Sequence, residues 1–315
     1  MLGAGICWTS LGEAMIKNYF RKLVPQFWAQ RFQNSESSYL FQPGLVGKKD
    51  RMAANLPVFR APPLFELSAS AEANDRYNMS FAQSLEELRE AQRLRYSVFT
   101  QEYQATMTSR VAGVDEDLFD AYCDHLIVRD QVSQEVVGTY RILDPHQAKR
   151  LKGYYSETEF FITRLNDLRG SMVELGRSCV HPDHRNGSVI MLLWSGIARY
   201  MQHFGFNNLI GCASVSMRDG GRTAASLWDM LEKKALAPSE LMGFPRHPLP
   251  LERLEREANV AEPPLIKGYV RIGAKVCSPP SWDPDFNTAD FLMLLNLNTM
   301  NPKYARHFGI RSSTN

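Results

Sequence analysis

The chain is poor in cysteine, nearly neutral and without a long apolar run, and each of these absences excludes something. Its five cysteines (Cys7, Cys123, Cys179, Cys212, Cys277) are scattered over 315 residues with no Cys-x-x-Cys pair. An odd, dispersed set without metal spacing argues for reduced thiols in a cytoplasmic protein. Lys and Arg number 36 against 34 Asp and Glu, a net charge of +2, which offers no general basis for nucleic-acid binding. No stretch approaches the roughly 18 apolar residues of a membrane-spanning helix. Charges at Glu13, Lys17, Arg21 and Lys22 interrupt the start, so no clean secretory signal is expected there. There is no internal repeat or low-complexity tract. No Gly-x-Ser-x-Gly elbow and no Ser-His-Asp order appears, which leaves a hydrolase triad without support.

What is present is a chain of 44% hydrophobic residues, enough for one large core with extensions. Residues 1–75 read as a basic extension and linker, and residues 76–315 as the main domain. Through residue 60, eight Lys and Arg face three acids, a local excess of +5. Leu11, Met15, Tyr19, Leu23 and Phe27 recur at helical spacing, with Lys17, Arg21 and Lys22 off that face. Such a helix can lie on an anionic membrane surface, so residues 11–31 are a candidate for peripheral contact. The plainer alternative is a helix packed on the main domain. Residues 34–76 carry scattered Ser, Asn, Gly and Pro and read as a linker.

From residue 77 the patterns alternate between strand and helix. Strands are expected over 77–81, 125–129, 135–142, 172–180, 208–213, 265–276 and 288–297. The second and third form a hairpin. Helices are expected from a capping pattern at Ser84 and Glu87, over 189–204 closed by Gly205, and over 223–234. A polar insertion is expected at about 235–262. The whole is an α/β (α+β) domain with a hairpin-containing sheet among helices.

The most informative stretch is Met172–Arg185. An otherwise apolar strand carries Glu174 and, three positions on, Arg177. On an ideal strand that spacing puts the two on opposite faces, and a bulge at Gly176 would bring them together. The pair reads either as catalytic or as a structural ion pair. The following turn, Arg185-Asn186-Gly187-Ser188, leads into an apolar helix. Backbone N–H groups at a helix start suit a phosphate. Upstream, Asp115, Glu116, Asp117, Asp120 and Asp124 cluster, with Arg95, Glu102 and Arg141 near in sequence. Arginine forks suit an α-carboxylate and carboxylates suit an ammonium, so this set reads either as an amino-compound reader or as a solvated acidic loop. His181-x-x-His184 lacks a third ligand, and no metal is expected.

Taken in order, Arg95-Tyr96-Ser97-Val98-Phe99, Glu102, the acidic run to Asp124-His125, Val137-Gly138-Thr139-Tyr140-Arg141 and Glu174-Leu175-Gly176-Arg177 resemble the Gcn5-related N-acyltransferases. Within them the chain looks most like the ornithine–acyl-carrier-protein N-acyltransferases. Pro263–Tyr269 and Phe286–Asp290 fit the same pattern, and the resemblance covers about residues 77–298. Acyl-homoserine-lactone synthases share much of it but usually carry a Trp where Val173 stands.

The resemblance implies a central mixed, mostly antiparallel twisted sheet flanked by helices. It implies transfer of a 3-hydroxyacyl group from acyl carrier protein to the α-amino group of L-ornithine, giving lyso-ornithine lipid. No separate cofactor is implied, because phosphopantetheine arrives on the carrier protein. Arg185, Asn186, Gly187 and Ser188 form a turn shorter than the usual coenzyme A cradle, which fits a donor presenting one phosphate. On this reading Glu174 is the general base and backbone N–H groups after Arg177 hold the oxyanion. Arg95, Arg141, Asp120 and Asp124 bind the amino acid, the two aspartates at its side-chain ammonium. The alternatives are an N-acyl amino acid synthase with another amine, a covalent Cys179 intermediate, and a non-enzymatic membrane-active protein. The expected location is the cytoplasm, with peripheral contact at the inner face of the membrane.

Overall fold

The computed structural model describes residues 59–60, 67, 76–103, 105, 109–258 and 260–310. The amphipathic segment at residues 11–31 lies outside them, as does all but a few positions of the 1–75 extension. The domain is a mixed sheet with helices on both faces. Its strands run in the order β1 (Tyr77–Phe81), β2 (Asp124–Asp130), β3 (Val136–Leu143), β5 (Met172–Val180), β6 (Asn208–Ser216), β10 (Thr288–Asn296) and β8 (Lys275–Val276). A further strand, β9 (Ser281–Asp283), pairs with β10. Every pairing is antiparallel except β5 with β6.

Alternation along β2 sorts its side chains between two cores. Ile127 points to the side of α1 (Leu85–Tyr103), joining Ala91, Leu94 and Val98. Leu126 and Val128 point to the other side, against α4 (Ser188–Phe204) and its Val189, Leu193 and Ile197. Gly205, at φ 70°, closes α4 in the left-handed conformation that glycine adopts without strain. Helix α5 (Arg222–Ala235) extends this second core through Leu227 and Leu231.

Two shorter helices, α2 (Pro145–Leu151) and α3 (Ser156–Glu159), follow β3. The expected insertion at 235–262 is tied to the domain, because β7 (Phe244–Pro245) pairs with β4 (Phe160–Phe161). The strand expected over 265–276 is a helix instead, α6 (Pro264–Ile272), followed by the two-residue β8. Pro264 sits at the first helical turn, where its missing N–H costs nothing, and Gly273 at φ 109° ends the helix. Those two signals outrank the β-branched residues between them. Helix α7 (Pro302–His307) completes the order.

Strands β5 and β6 part company early. Their parallel pairing covers Met172–Glu174 against Asn208–Ile210, while β6 pairs with β10 along its full length. At the point of parting the Leu175 carbonyl packs directly on Gly211, where any side chain would collide with it.

Candidate active site

A bulge shapes β5. Between Thr139 and Arg141 of β3, the facing strand advances from Cys179 to Gly176, one residue too many for regular pairing. The extra residue falls at Arg177, whose φ of 50° is left-handed although it has a side chain. That conformation costs of order 1 kcal/mol or more. Contacts around the guanidinium offset it. Its Nε lies 3.1 Å from Asp115 Oδ2 and its Nη2 3.0 Å from Asp117 Oδ2. The rings of Phe286 and Tyr155 lie 4.6 Å and 5.0 Å from the guanidinium carbon. The bulge also brings Arg177 and Glu174 to one cavity.

They do not pair there. Glu174 Oε2 accepts from Tyr155 N at 2.6 Å, and Oε1 accepts from Ser156 N at 2.7 Å and from the Ser156 hydroxyl at 2.5 Å. The carboxylate therefore holds the turn that opens α3. Burial raises its pKa, and the Ser156 and Tyr155 donors work against that rise.

The acidic cluster has a different place from the expected one. Arg95 Nε meets Asp115 at 2.8 Å and its Nη2 meets Asp120 at 2.7 Å. Arg141 Nη1 meets Asp117 at 2.6 Å and Asp120 at 3.1 Å. With Arg177, three arginines and three aspartates alternate in one buried network. Burial alone would raise the Asp120 carboxyl, but Arg95 and Arg141 overcome it and hold it well below the usual carboxylate range. Asp124 is tied to the Tyr200 hydroxyl at 2.8 Å and to Arg60 at 3.3 Å. Of the four residues expected to bind the amino acid, only Arg141 lines the cavity; Arg95, Asp120 and Asp124 do not. This placement has a simple cause. The bases that neutralise Asp120 come from α1 and β3, the elements on either side of the acidic run, and only the fold brings them onto it.

The cavity has a volume of about 100 Å³ and lies between the parted ends of β5 and β6. Glu174, Arg177, Arg141 and Tyr155 face it from one side, Asp283 and Asp290 from the other. A second, apolar cavity of about 40 Å³ adjoins it, and the two share Leu175, Cys212 and Tyr269. Its far wall is Trp194, Ile272, Ala274, Met293 and Leu295.

Asp283, Asp290 and Tyr155 were not singled out from the sequence as site residues. A signal existed for Asp290: it is an acid on the otherwise apolar strand Ala289–Leu295, as Glu174 is on β5. Burial raises both aspartates. Asp290, with Asp283 adding to the effect, is pushed up to about 6.

The turn Arg185–Ser188 is exposed at its first three residues and half-buried at Ser188, and it stands apart from the cavity lining. Arg185 pairs with Glu102, Ser188 N donates to Asn186 Oδ1 at 3.0 Å, and Gly187 at φ 93° turns the chain into α4. Cys179 is buried against α1, off the cavity, and burial raises its thiol far above its ordinary value. Among the described residues, no group of three His, Cys, Asp or Glu side chains could hold a metal ion. His184 instead meets the Tyr77 hydroxyl at 3.0 Å. No described helix is long and apolar enough to cross a membrane.

Comparison with known proteins gives a concordant result. Residues 94–195 match a family model described as an acetyltransferase (GNAT) domain. A protein of Rhodobacter capsulatus named L-ornithine N(alpha)-acyltransferase is 34% identical over 74% of this chain and 94% of its own length. Proteins of the same name from Brucella abortus and Agrobacterium fabrum are 32% and 35% identical, covering 74% and 72% of this chain and 88% and 83% of their own.

Proposed function

The chain belongs to the L-ornithine N(alpha)-acyltransferase family, and from that premise we propose that it acylates the α-amino group of L-ornithine, the first step of ornithine lipid synthesis. The donor is a 3-hydroxyacyl thioester on acyl carrier protein. The observation that carries the reading is the pair of joined cavities at the parting of β5 and β6, one polar and one apolar. A thioester seated across that junction, beside Leu175 and Cys212, has its carbonyl near the bulge and its acyl chain in the apolar cavity.

The roles follow from the walls. Backbone N–H groups beyond Arg177 stabilise the oxyanion of the tetrahedral intermediate, an effect typically worth about 3–4 kcal/mol per donor. Arg141 and Arg177, whose charges are shared with the aspartates, offer their remaining N–H donors to the acceptor's carboxylate. The sequence reading made Glu174 the base. Two fixed N–H donors and a hydroxyl already occupy its oxygens, which favours an anchoring role. A carrier-protein donor is supported by the short turn Arg185-Asn186-Gly187-Ser188, which lacks a second glycine and suits one phosphate. Peripheral membrane contact belongs to residues 11–31, whose apolar face is flanked by Lys17, Arg21 and Lys22.

Mass spectrometry of the full chain with 3-hydroxyacyl carrier protein and a panel of amino acids tests the reading. The expected product is the ornithine amide, and no amide with any amino acid would defeat it. Removing residues 1–56, which leaves Arg60 on Asp124, should preserve transfer in solution and weaken vesicle binding. Unchanged vesicle binding would dismiss the membrane role.

A further inference from the structure

We propose that Asp290 is the catalytic base, the group that takes the proton from the acceptor amine. The inference rests on the acyl-transfer reading above and deepens it. Direct aminolysis requires the α-ammonium to lose a proton before its nitrogen can attack, so the cavity must contain an acceptor for it. Three carboxylates line the cavity: Glu174, Asp283 and Asp290. They differ in what holds them. Glu174 accepts two backbone N–H bonds, and Asp283 Oδ1 accepts from Asp285 N and Phe286 N at 2.9 and 3.0 Å. A backbone N–H can only donate, so these bonds favour the ionised form of either group and weaken it as a base. Asp290 is held differently. Its Oδ1 accepts from the Thr288 hydroxyl at 3.0 Å, and its other side-chain partner is the Ser214 hydroxyl. Hydroxyls rotate and can accept as readily as donate. They can follow a proton onto Asp290 and off again.

Its surroundings agree. Asp290 is 3% exposed and, among the described residues, no Lys, Arg or His stands within 4.0 Å of its carboxylate. The charged or titratable groups that face it are Asp283 on β9, Arg177 on β5, Glu159 and Tyr155 around α3, Tyr103 on α1 and Cys212 on β6. Acids outnumber the one arginine, whose charge is already shared with Asp115 and Asp117. Such a carboxylate, poised close to neutrality, is ionised at working pH yet basic enough to accept a proton.

The steps balance. The ammonium gives one proton to Asp290, and the freed nitrogen lone pair attacks the thioester carbonyl carbon. Collapse of the tetrahedral intermediate breaks the C–S bond. The leaving thiolate takes the second nitrogen proton and departs as the thiol. Asp290 returns its proton to solvent once the amide has left.

The test is a steady-state comparison of the full chain with its Asp290→Asn variant across acid and neutral pH, using L-ornithine and 3-hydroxyacyl carrier protein. Wild-type amide formation first establishes the reaction itself, so failure there overturns the acyl-transfer reading and not the assignment alone. Given that activity, Asp290→Asn should lower kcat by about 10²–10⁴-fold with little change in KM for ornithine. The wild-type acid limb, centred near pH 6, should vanish in the variant. A variant with raised KM but intact kcat would make Asp290 a binding group and overturn the proposal, as would wild-type kinetics. Should Asp290→Asn not fold, Thr288→Val decides. Losing the donor to Oδ1 raises the Asp290 pKa, so the acid limb must move to higher pH. A limb that stays in place overturns the assignment.

Discussion

Glu174 and Tyr155 are joined through the backbone: the carboxylate accepts the Tyr155 N–H at 2.6 Å, and the Tyr155 ring lies 5.0 Å from the Arg177 guanidinium. Glu174 thus reaches Arg177 by way of a turn and an aromatic ring, although neither side chain touches the other as an ion pair. The relationship separates anchoring from proton transfer as roles for Glu174, and the two have different consequences.

Glu174→Gln replaces one acceptor oxygen with an NH₂ aimed at a fixed N–H donor. A buried donor left without an acceptor costs about 1–3 kcal/mol. Urea unfolding should record a loss of that size. Transfer should slow because Tyr155 and Arg177 lose their registration, but the acid limb of the pH profile should persist. A Glu174→Gln protein of full stability that has lost its acid limb would restore Glu174 as the base.

Arg95 provides the corresponding test for the acidic cluster. It is fully buried between Asp115 and Asp120. Arg95→Met leaves two buried carboxylates short of a partner, and breaking such a network typically costs about 3–5 kcal/mol. Denaturant titration should show that loss. An unchanged midpoint with a raised KM for ornithine would return Arg95 to substrate binding. The pH sign follows from the same network. Asp117 and Asp120 titrate below the ordinary carboxylate range, so the stability they contribute is complete above their unfolded pKa. It is lost only as pH falls through those depressed folded values. Acid unfolding should therefore lie below the ordinary carboxylate range.

How far the sequence foreshadows this molecule depends on the range of the forces involved. The hairpin β2–β3, strand β5 and helix α4 are written in local periodicity and in Gly205, and the structure has them within a residue or two. Helix α6 carries mixed signals, because its two caps, Pro264 and Gly273, compete with β-branched residues in between. The site is less legible. The bulge could be anticipated at Gly176, yet the left-handed residue is Arg177, held by aspartates some sixty positions earlier. Asp290 reaches the cavity because β10 pairs with β6 over Thr288–Asn296. No window of sequence contains that pairing.

Glu159 tests the electrostatics on the acidic side of the cavity. Burial first, then Asp290 and Asp283, push its carboxyl up to about 7. A carboxyl whose folded pKa exceeds its unfolded one stabilises the fold at low pH, and that contribution fades as pH rises to the folded value. Glu159→Gln keeps the neutral form at every pH. Its melting temperature should match wild type below the ordinary carboxylate range and rise progressively above it as pH climbs to about 7. A variant that is less stable at every pH would show that the Ser281 contact at 3.3 Å outweighs the charge.

The apolar cavity makes the final prediction. Ala274 is almost fully buried in its far wall, opposite the shared residues Leu175 and Cys212. A phenyl ring at this position would fill the cavity and press on its walls. Overpacking of this kind typically costs about 1–3 kcal/mol. If the acyl chain lies in this cavity, Ala274→Phe should shift product lengths toward shorter chains when donors of mixed length compete. Long donors should lose kcat/KM while the shortest retain it. The amide profile read by mass spectrometry checks this directly. A folded Ala274→Phe protein with the wild-type length distribution would remove the chain from this cavity and send it along the outer face of the sheet.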